Sequence, residues 1–251
     1  YYGTEKFFEA YVVTPLRDYL KLTLGGDYRN SFSDQREYSE SMFGVYDAKL
    51  NKDSMKQRQY SMFMALNLQL PQGLNIEAGG RWNHHSAYGS NMVYNFNPSF
   101  FFKQQWKLFA NISTAYKTPS LYQLYSDYGN RKLKPETAIS TEAGIQFFTS
   151  DKNSYMRFVY FNRNVKDVVF FYTDPITYAS NYINQDQQKD HGVEIEGSLS
   201  MKHWGNLRVY YTYVNGKITT VNNGTDTSFY NLYRRPKDAF GLTYENKILK
   251  N

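Results

Sequence analysis

The chain has 251 residues, with 29 Lys and Arg against 23 Asp and Glu, no cysteine, 25 Tyr and 18 Phe. So many rings exclude a disordered chain, and the lack of cysteine excludes metal or thiol chemistry built on that residue. No apolar run approaches the roughly 20 residues of a spanning helix, and a net charge of +6 without a basic stretch argues against nucleic acid.

The first residues, Tyr1-Tyr2-Gly3-Thr4, lack the basic start and apolar core of a signal peptide and read as the middle of a longer chain. Period-two alternation then runs from end to end and predicts strands. Leu20, Leu22, Leu24 and Tyr28 oppose Lys21, Thr23, Asp27 and Arg29. Tyr60, Met62, Met64, Leu66, Leu68 and Leu70 form the next apolar parity. After Pro71-Gln72-Gly73 the pattern resumes, with Leu74, Ile76, Ala78 and Trp82 against Asn75, Glu77, Arg81 and Asn83. Trp106, Leu108, Ala110, Ile112 and Tyr116 oppose Lys107, Asn111, Ser113 and Lys117. Ile139, Ala143, Ile145 and Phe147 oppose Ser140, Glu142 and Gln146. Val193, Ile195, Leu199 and Met201 oppose Glu194, Glu196, Ser198 and Lys202, and Phe240, Leu242 and Tyr244 form a last apolar face.

The connections alternate in length. Short turns are expected at 15–18, 71–73, 103–105, 150–153, 202–206 and 247–251, and longer polar links at 30–55, 86–92, 118–136, 174–190 and 215–231. Counting hairpins between short turns gives about eleven antiparallel strands in one domain. Many of them match the roughly 9–11 residues that cross a bilayer at a tilt. Rings sit near strand ends: Tyr19, Trp106, Phe147, Phe148, Tyr155 and Trp204 beside short turns, and Tyr28, Trp82, Tyr116 and Tyr172 beside long links. Two aromatic belts, short turns at one end and long loops at the other describe an all-β, antiparallel transmembrane β-barrel. Its ionic parity must face the lumen, because a lipid-facing Lys or Arg near mid-membrane costs about 2–4 kcal/mol. An odd number of strands does not close a bacterial barrel, so the chain is expected to be a partial one.

Residues 115–125 (Ala-Tyr-Lys-Thr-Pro-Ser-Leu-Tyr-Gln-Leu-Tyr), Tyr128-Gly129-Asn130, Leu133-Lys134-Pro135-Glu136-Thr137 and Glu142-Ala143-Gly144 resemble the barrel signature of TonB-dependent outer-membrane receptors. Tyr182-Ile183-Asn184, Gly192-Val193-Glu194 and Arg234-Arg235-Pro236-Lys237 follow in the order of that family. The resemblance rests chiefly on residues 115–244; the first hundred residues agree in pattern alone. It implies a barrel of about 22 strands around a plug, of which residues 1–251 would be one portion, without the plug domain and the last strands. It implies location in the bacterial outer membrane and active import of a bulky, scarce nutrient. Further implied are contact with outer-membrane lipid and with the TonB complex through a missing N-terminal segment, and compatibility with a surface ligand-capture lipoprotein. Within the family the spacing looks most similar to cobalamin receptors, with ferric siderophore or haem receptors as the alternative. Thr118-Pro119, Gly129-Asn130 and Pro135-Glu136 read as shape-setting residues, since Pro ends a ladder and Gly-Asn makes turns.

Ligand contact is expected from rings in the long links: Tyr38, Phe43, Tyr46, Tyr122, Tyr125, Tyr128, Tyr178, Tyr182, Phe229 and Tyr230. Tyrosine offers a broad apolar face and a hydroxyl at little entropic cost. From another class, an outer-membrane hydrolase would use His84 or His85 with Ser86, although neighbours on a strand point to opposite faces. A passive porin is the third alternative. No cofactor, catalytic group or metal set is implied. Asp127, Asp174, Asp186 and Asp190 offer carboxylates for calcium, but nothing resembles a calcium loop.

Overall fold

The computed structural model describes residues 2–50, 55–201, 204–222, 225–230 and 236–246. The strands in chain order are β1 (Tyr2–Arg17), β2 (Leu20–Ser41), β3 (Gly44–Leu50), β4 (Lys56–Gln69), β5 (Leu74–His85), β6 (Gly89–Phe102) and β7 (Trp106–Lys117). A one-turn helix α1 (Leu121–Tyr125) precedes β8 (Glu136–Phe148), β9 (Tyr155–Thr173), β10 (Ser180–Met201), β11 (Gly205–Asn222), β12 (Thr225–Tyr230) and β13 (Asp238–Glu245). They form one 13-stranded sheet in which every pairing is antiparallel. β3 and β4 share one flank of β2, beside residues 35–41 and 20–32 respectively. β12 and β13 share the outer flank of β11 in the same way. The wall therefore has the expected number of strand positions, while the sheet has more segments.

The register carries the alternation across the sheet. Phe8, Tyr28, Tyr60 and His84 fall in one row, and Ala10, Gly26, Met62, Trp82 and Met92 in the next. The interleaved row holds Glu9, Asp27, Ser61, Asn83 and Asn91. Burial is inverted relative to a soluble sheet. Met62 and Met92 are each 68% exposed, whereas Asp27 and Asn83 retain 8% and 6%. The ionic face is the crowded, concave one, and the apolar face has no protein cover. Such a surface suits hydrocarbon, where backbone groups must be paired and apolar side chains need no water-excluding partner.

Gly25 and Gly144 let the inner wall accommodate rings. A Cβ at either would lie 2.4 Å from Phe63 Cζ or 2.3 Å from Phe109 Cζ. Arg81 then lies over Phe63, with its carbon 5.5 Å from the ring centre, and Arg157 over Phe109 at 5.1 Å.

Several expectations are corrected. Among the described residues only the 118–135 connection is a long link. Of the links expected over 30–55, 174–190 and 215–231, residues 30–41, 44–50, 180–190, 215–222 and 225–230 continue the ladder as tall hairpins. The link expected over 86–92 is a tight turn at residues 86–88. The Ser86 N–H donates to Arg58 O (2.9 Å), the Arg58 N–H donates to Ser86 Oγ (3.1 Å), and Gly89 supplies a φ of +69°. The turn expected at 15–18 begins later, because Pro15 and Arg17 remain in β1 beside a bulge. Phe148 and Tyr155, expected in the lower lipid belt, pack inward: Phe148 lies 5.8 Å from Phe101 and 6.2 Å from Tyr155, whose hydroxyl donates to Glu196. Trp106 does join that belt, 4.7 Å from Phe147 and 6.4 Å from Phe102. The turn expected at 247–251, with Lys202, His203, Arg234 and Arg235, lies outside the described residues.

Candidate functional site: the inner wall and its upper rim

The 118–135 link is built from the residues that carried the sequence motifs. Ser120 caps α1 by accepting from the Gln123 N–H (3.2 Å), and Gln123 Oε1 accepts from the Ser120 N–H (2.9 Å). This capping box is legible as Ser-x-x-Gln, yet the sequence reading placed no helix there. Leu121, Leu124 and Leu133 are buried. Tyr182 N–H donates to Tyr128 O (3.0 Å), and Asn130 Nδ2 donates to Tyr182 O (2.9 Å). Asn184 Oδ1 accepts from the Lys134 N–H (2.8 Å) while its Nδ2 donates to Lys134 O (3.0 Å) and Asp167 O (2.6 Å). Motif pieces distant in sequence therefore hold each other in place, and the link docks onto the upper β9–β10 hairpin.

The candidate rings divide. Tyr122, Tyr128 and Tyr182 converge with Phe171: Tyr122–Tyr182 centres are 6.3 Å apart, Tyr128–Phe171 5.5 Å and Phe171–Tyr182 5.2 Å, all edge-on. Phe171, just before the link expected over 174–190, was not among the rings singled out. Tyr125 stacks under Arg131 at 4.9 Å. The Tyr46 hydroxyl reaches Asp127 Oδ1 (3.2 Å), linking the β2–β3 hairpin to the link, while Tyr38 donates to Glu40 (3.3 Å). Phe43 at the hairpin tip and Tyr178 in the β9–β10 turn stand open, 93% and 79% exposed. Phe229 and Tyr230 pair with Ile218 and Lys217 in the ladder, and their side chains lie outside the described part.

Below the link, the inner wall carries two adjoining cavities that share Arg29 and Gln59. One, of about 240 Å³, is lined by Glu5, Gln57, His85 and Ser120. The other, of about 490 Å³, is lined by Arg81, Asn83, Tyr116 and Lys117. Three of the cations have an acid. Arg29 lies 3.8 Å from Glu5, Arg81 pairs with the nearly buried Asp27, and Lys117 lies 3.2 Å from Glu136. Arg81 also donates to Asn83 Oδ1 (2.9 Å). Beyond these pairs the Arg29 and Arg81 guanidinium groups keep further N–H donors, beside amides and hydroxyls that donate and accept, which suits an oxygen-rich molecule with anionic groups.

The histidine pair does not form a nucleophile with Ser86. His84 points outward to Ser90 Oγ (3.0 Å). His85 points inward, its Nδ1 accepting from the Ala87 N–H (3.1 Å) and its Nε2 facing Gln57 Oε1 (2.8 Å). The adjacent Tyr88, 5.1 Å from His85, has its phenol pushed up to about 12 by burial, with Tyr116 and Tyr125 adding to the rise, so it remains a hydroxyl donor. Nor do the four aspartates gather. Asp190 sits inside β10 paired with Arg163, and Asp174 accepts from the Ile176 and Thr177 N–H groups (2.8 and 2.9 Å), which hold its carboxyl below the usual range. Among the described residues no group of three or more His, Asp or Glu is placed to hold a metal.

Residues 1–249 match the family described as TonB dependent receptor-like, beta-barrel. The chain belongs to that family. Its wall is accordingly that of a bacterial outer-membrane barrel. The sequence is 29% identical over 185 residues to the ferric enterobactin receptor of Pseudomonas aeruginosa, covering 63% of this chain and 24% of that one. It is 27% identical over 154 residues to the probable TonB-dependent siderophore receptor PirA of Acinetobacter baumannii, covering 53% and 20%. The fold superposes on the crystal structure of the siderophore receptor PirA from Pseudomonas aeruginosa with a TM-score of 0.68 at 18% identity, covering 95% of this chain and 47% of that one. The chain thus spans about a quarter or less of these curated relatives and under half of that solved structure.

Proposed function

We propose that the chain is a wall segment of a receptor that imports a bulky ferric siderophore, with energy delivered by TonB through parts of the protein beyond this segment. The cobalamin assignment expected from motif spacing is replaced: the named relatives are siderophore receptors, and barrel motifs report on wall construction rather than on cargo. The observation that carries the reading is the donor-rich inner wall around Arg29, Gln59, Arg81 and Lys117, beneath the Tyr122–Tyr128–Phe171–Tyr182 cluster. Rings meet a large planar ligand at the rim, and the guanidinium groups match its anionic oxygens deeper in. A ligand-capture lipoprotein at the surface is compatible with the exposed β2–β3 hairpin. A receptor role needs no covalent chemistry from these side chains, and the relatives are receptors and not enzymes.

The test titrates purified full-length receptor with a ferric catecholate chelate and with cobalamin. The chelate is expected to bind and cobalamin not, and Arg29→Gln should weaken the chelate about 10–100-fold, the range for one charge-assisted hydrogen bond. Tighter binding of cobalamin than of ferric chelates would overturn the assignment.

A further inference from the structure

Charges on the two faces of β9, β10 and β11 are handled differently. On the inner face Arg163 pairs with Asp190, which also accepts from Gln188 (2.9 Å), and Arg157 lies 3.8 Å from Glu196. On the outer face, Lys166 in β9, Lys189 in β10 and Lys217 in β11 are exposed, and no ion pair among the described residues involves them. The register brings them together. Lys189 is directly opposite Lys217, and Lys166 lies opposite Gln187, one outward position from Lys189. The outer-face rows here run Thr141–Asn162–His191–Asn215, Ile139–Asn164–Lys189–Lys217 and Thr137–Lys166–Gln187–Thr219. They contain no carboxylate.

Directly beneath these rows the same face becomes Ala143, Tyr160, Val193 and Tyr213, the upper edge of the lipid-facing surface. Lys217 is four residues beyond Tyr213 on one strand, about 13 Å along it and less along the membrane normal once the strand tilts. That height lies just above the hydrocarbon, in the layer of lipid headgroups. Three exposed cations with no ion pair among the described residues, on a face continuous with the lipid contact, are placed to meet anions from outside.

We propose that Lys166, Lys189 and Lys217 bind phosphate-bearing headgroups of outer-leaflet lipid. Neighbouring strands about 4.8 Å apart place the ammonium groups within reach of a single headgroup carrying more than one phosphate. Their aliphatic stems can lie along the girdle while the charges reach the phosphates. The site anchors the wall laterally and fixes its depth, independently of what passes through the lumen.

The test is native mass spectrometry of full-length receptor in neutral detergent, titrated with bis-phosphorylated lipid A and, separately, with phosphatidylcholine. Lipid A should be retained in preference to phosphatidylcholine. The Lys166→Gln, Lys189→Gln, Lys217→Gln triple variant should bind it about 100-fold more weakly, a factor of roughly five for each cation near an anionic surface. The corresponding triple Lys→Arg variant should bind as wild type. If the Gln triple variant does not fold, judged by lost heat-modifiable migration, Lys189→Gln alone decides, with an expected loss of about five-fold. Equal lipid A binding by Gln and wild-type proteins, or equal retention of phosphatidylcholine, would overturn the proposal. So would displacement of lipid A by inorganic phosphate or by a soluble acidic peptide at matching concentration, which would indicate a plain anion site or a protein partner.

Discussion

The 118–135 link and the β2–β3 hairpin rise from the same rim and are built on opposite principles. The link folds back on the wall, buries Leu121, Leu124 and Leu133, and is bonded to β10 by Asn130 and Asn184. The hairpin extends the ladder upward and leaves Met42 and Phe43 more than nine-tenths exposed. Its own stiffening is a surface ion pair, with Arg36 Nε and Nη2 donating to the two Asp47 oxygens at 3.0 and 2.9 Å. Packing and hydrogen bonds to the neighbouring strand make a scaffold, whereas a ladder with a solvated ion pair makes a projection that sits in water and salt. The rim rings held by the scaffold are thus pre-positioned, whereas Phe43 at the tip of the projection stands open to an incoming molecule.

Removing the scaffold's packing should separate the two regions most. Leu133 is 2% exposed, so Leu133→Ala should cost about 2–5 kcal/mol of local stability. Hydrogen exchange should speed across 120–135 and leave β3 unchanged; intact protection of the link would show that its hydrophobic anchor lies elsewhere. Asn184→Ala comes next, at about 0.5–1.5 kcal/mol, because it removes the paired bonds to the exposed Lys134 backbone, whose groups then turn to water. Here trypsin cleavage at Lys132 or Lys134 should accelerate, and an unaltered digestion rate would count against the motif acting as a clamp.

The smallest effect belongs to the hairpin and is set by pH. The hydrogen bond from Arg36, chiefly, holds the Asp47 carboxyl below its ordinary 3.8 against a cost of desolvation, and the charges of Arg36 and Lys49 add to the lowering. A carboxyl depressed in the folded state stabilises above its unfolded value and loses that contribution as pH falls through the folded one. Protection of the β3 amides should therefore drop on acidification below 3.8, and also in high salt at neutral pH. The Asn184 bonds go to backbone groups and should respond less to either, the exposed Lys134–Asp167 ion pair beside them (3.9 Å) being their one ionic neighbour. Acid-insensitive protection of β3 would mean that the ladder alone holds the hairpin.

Strand parity, the inward ionic face and the strand ends at Lys117 and Glu136 were all legible in the sequence, because a pleat forces alternate residues onto opposite faces and Pro breaks a ladder. The links were less legible. Polar tracts such as residues 30–50 and 180–190 look like loops when strand character is judged by apolar alternation. In tall hairpins above a membrane both faces are wet, so the alternation fades while the ladder continues. Of the candidate rings, Tyr122, Tyr128 and Tyr182 lie together at the rim, and Phe171 joins them without having been singled out, because its place depends on what docks across it. The cation cluster of Arg29, Arg81 and Lys117 was read only as lumen parity, since its members come from three strands far apart in sequence.

By itself the sequence determined which side chains share a face and that this face must be hidden from lipid, since both follow from a repeat of two and the cost of charge in hydrocarbon. The tertiary structure alone decided which rows lie side by side. Register between strands is set by turns and packing, so only there do Asn184 meet Lys134, Arg29 approach Lys117, and Lys189 stand opposite Lys217.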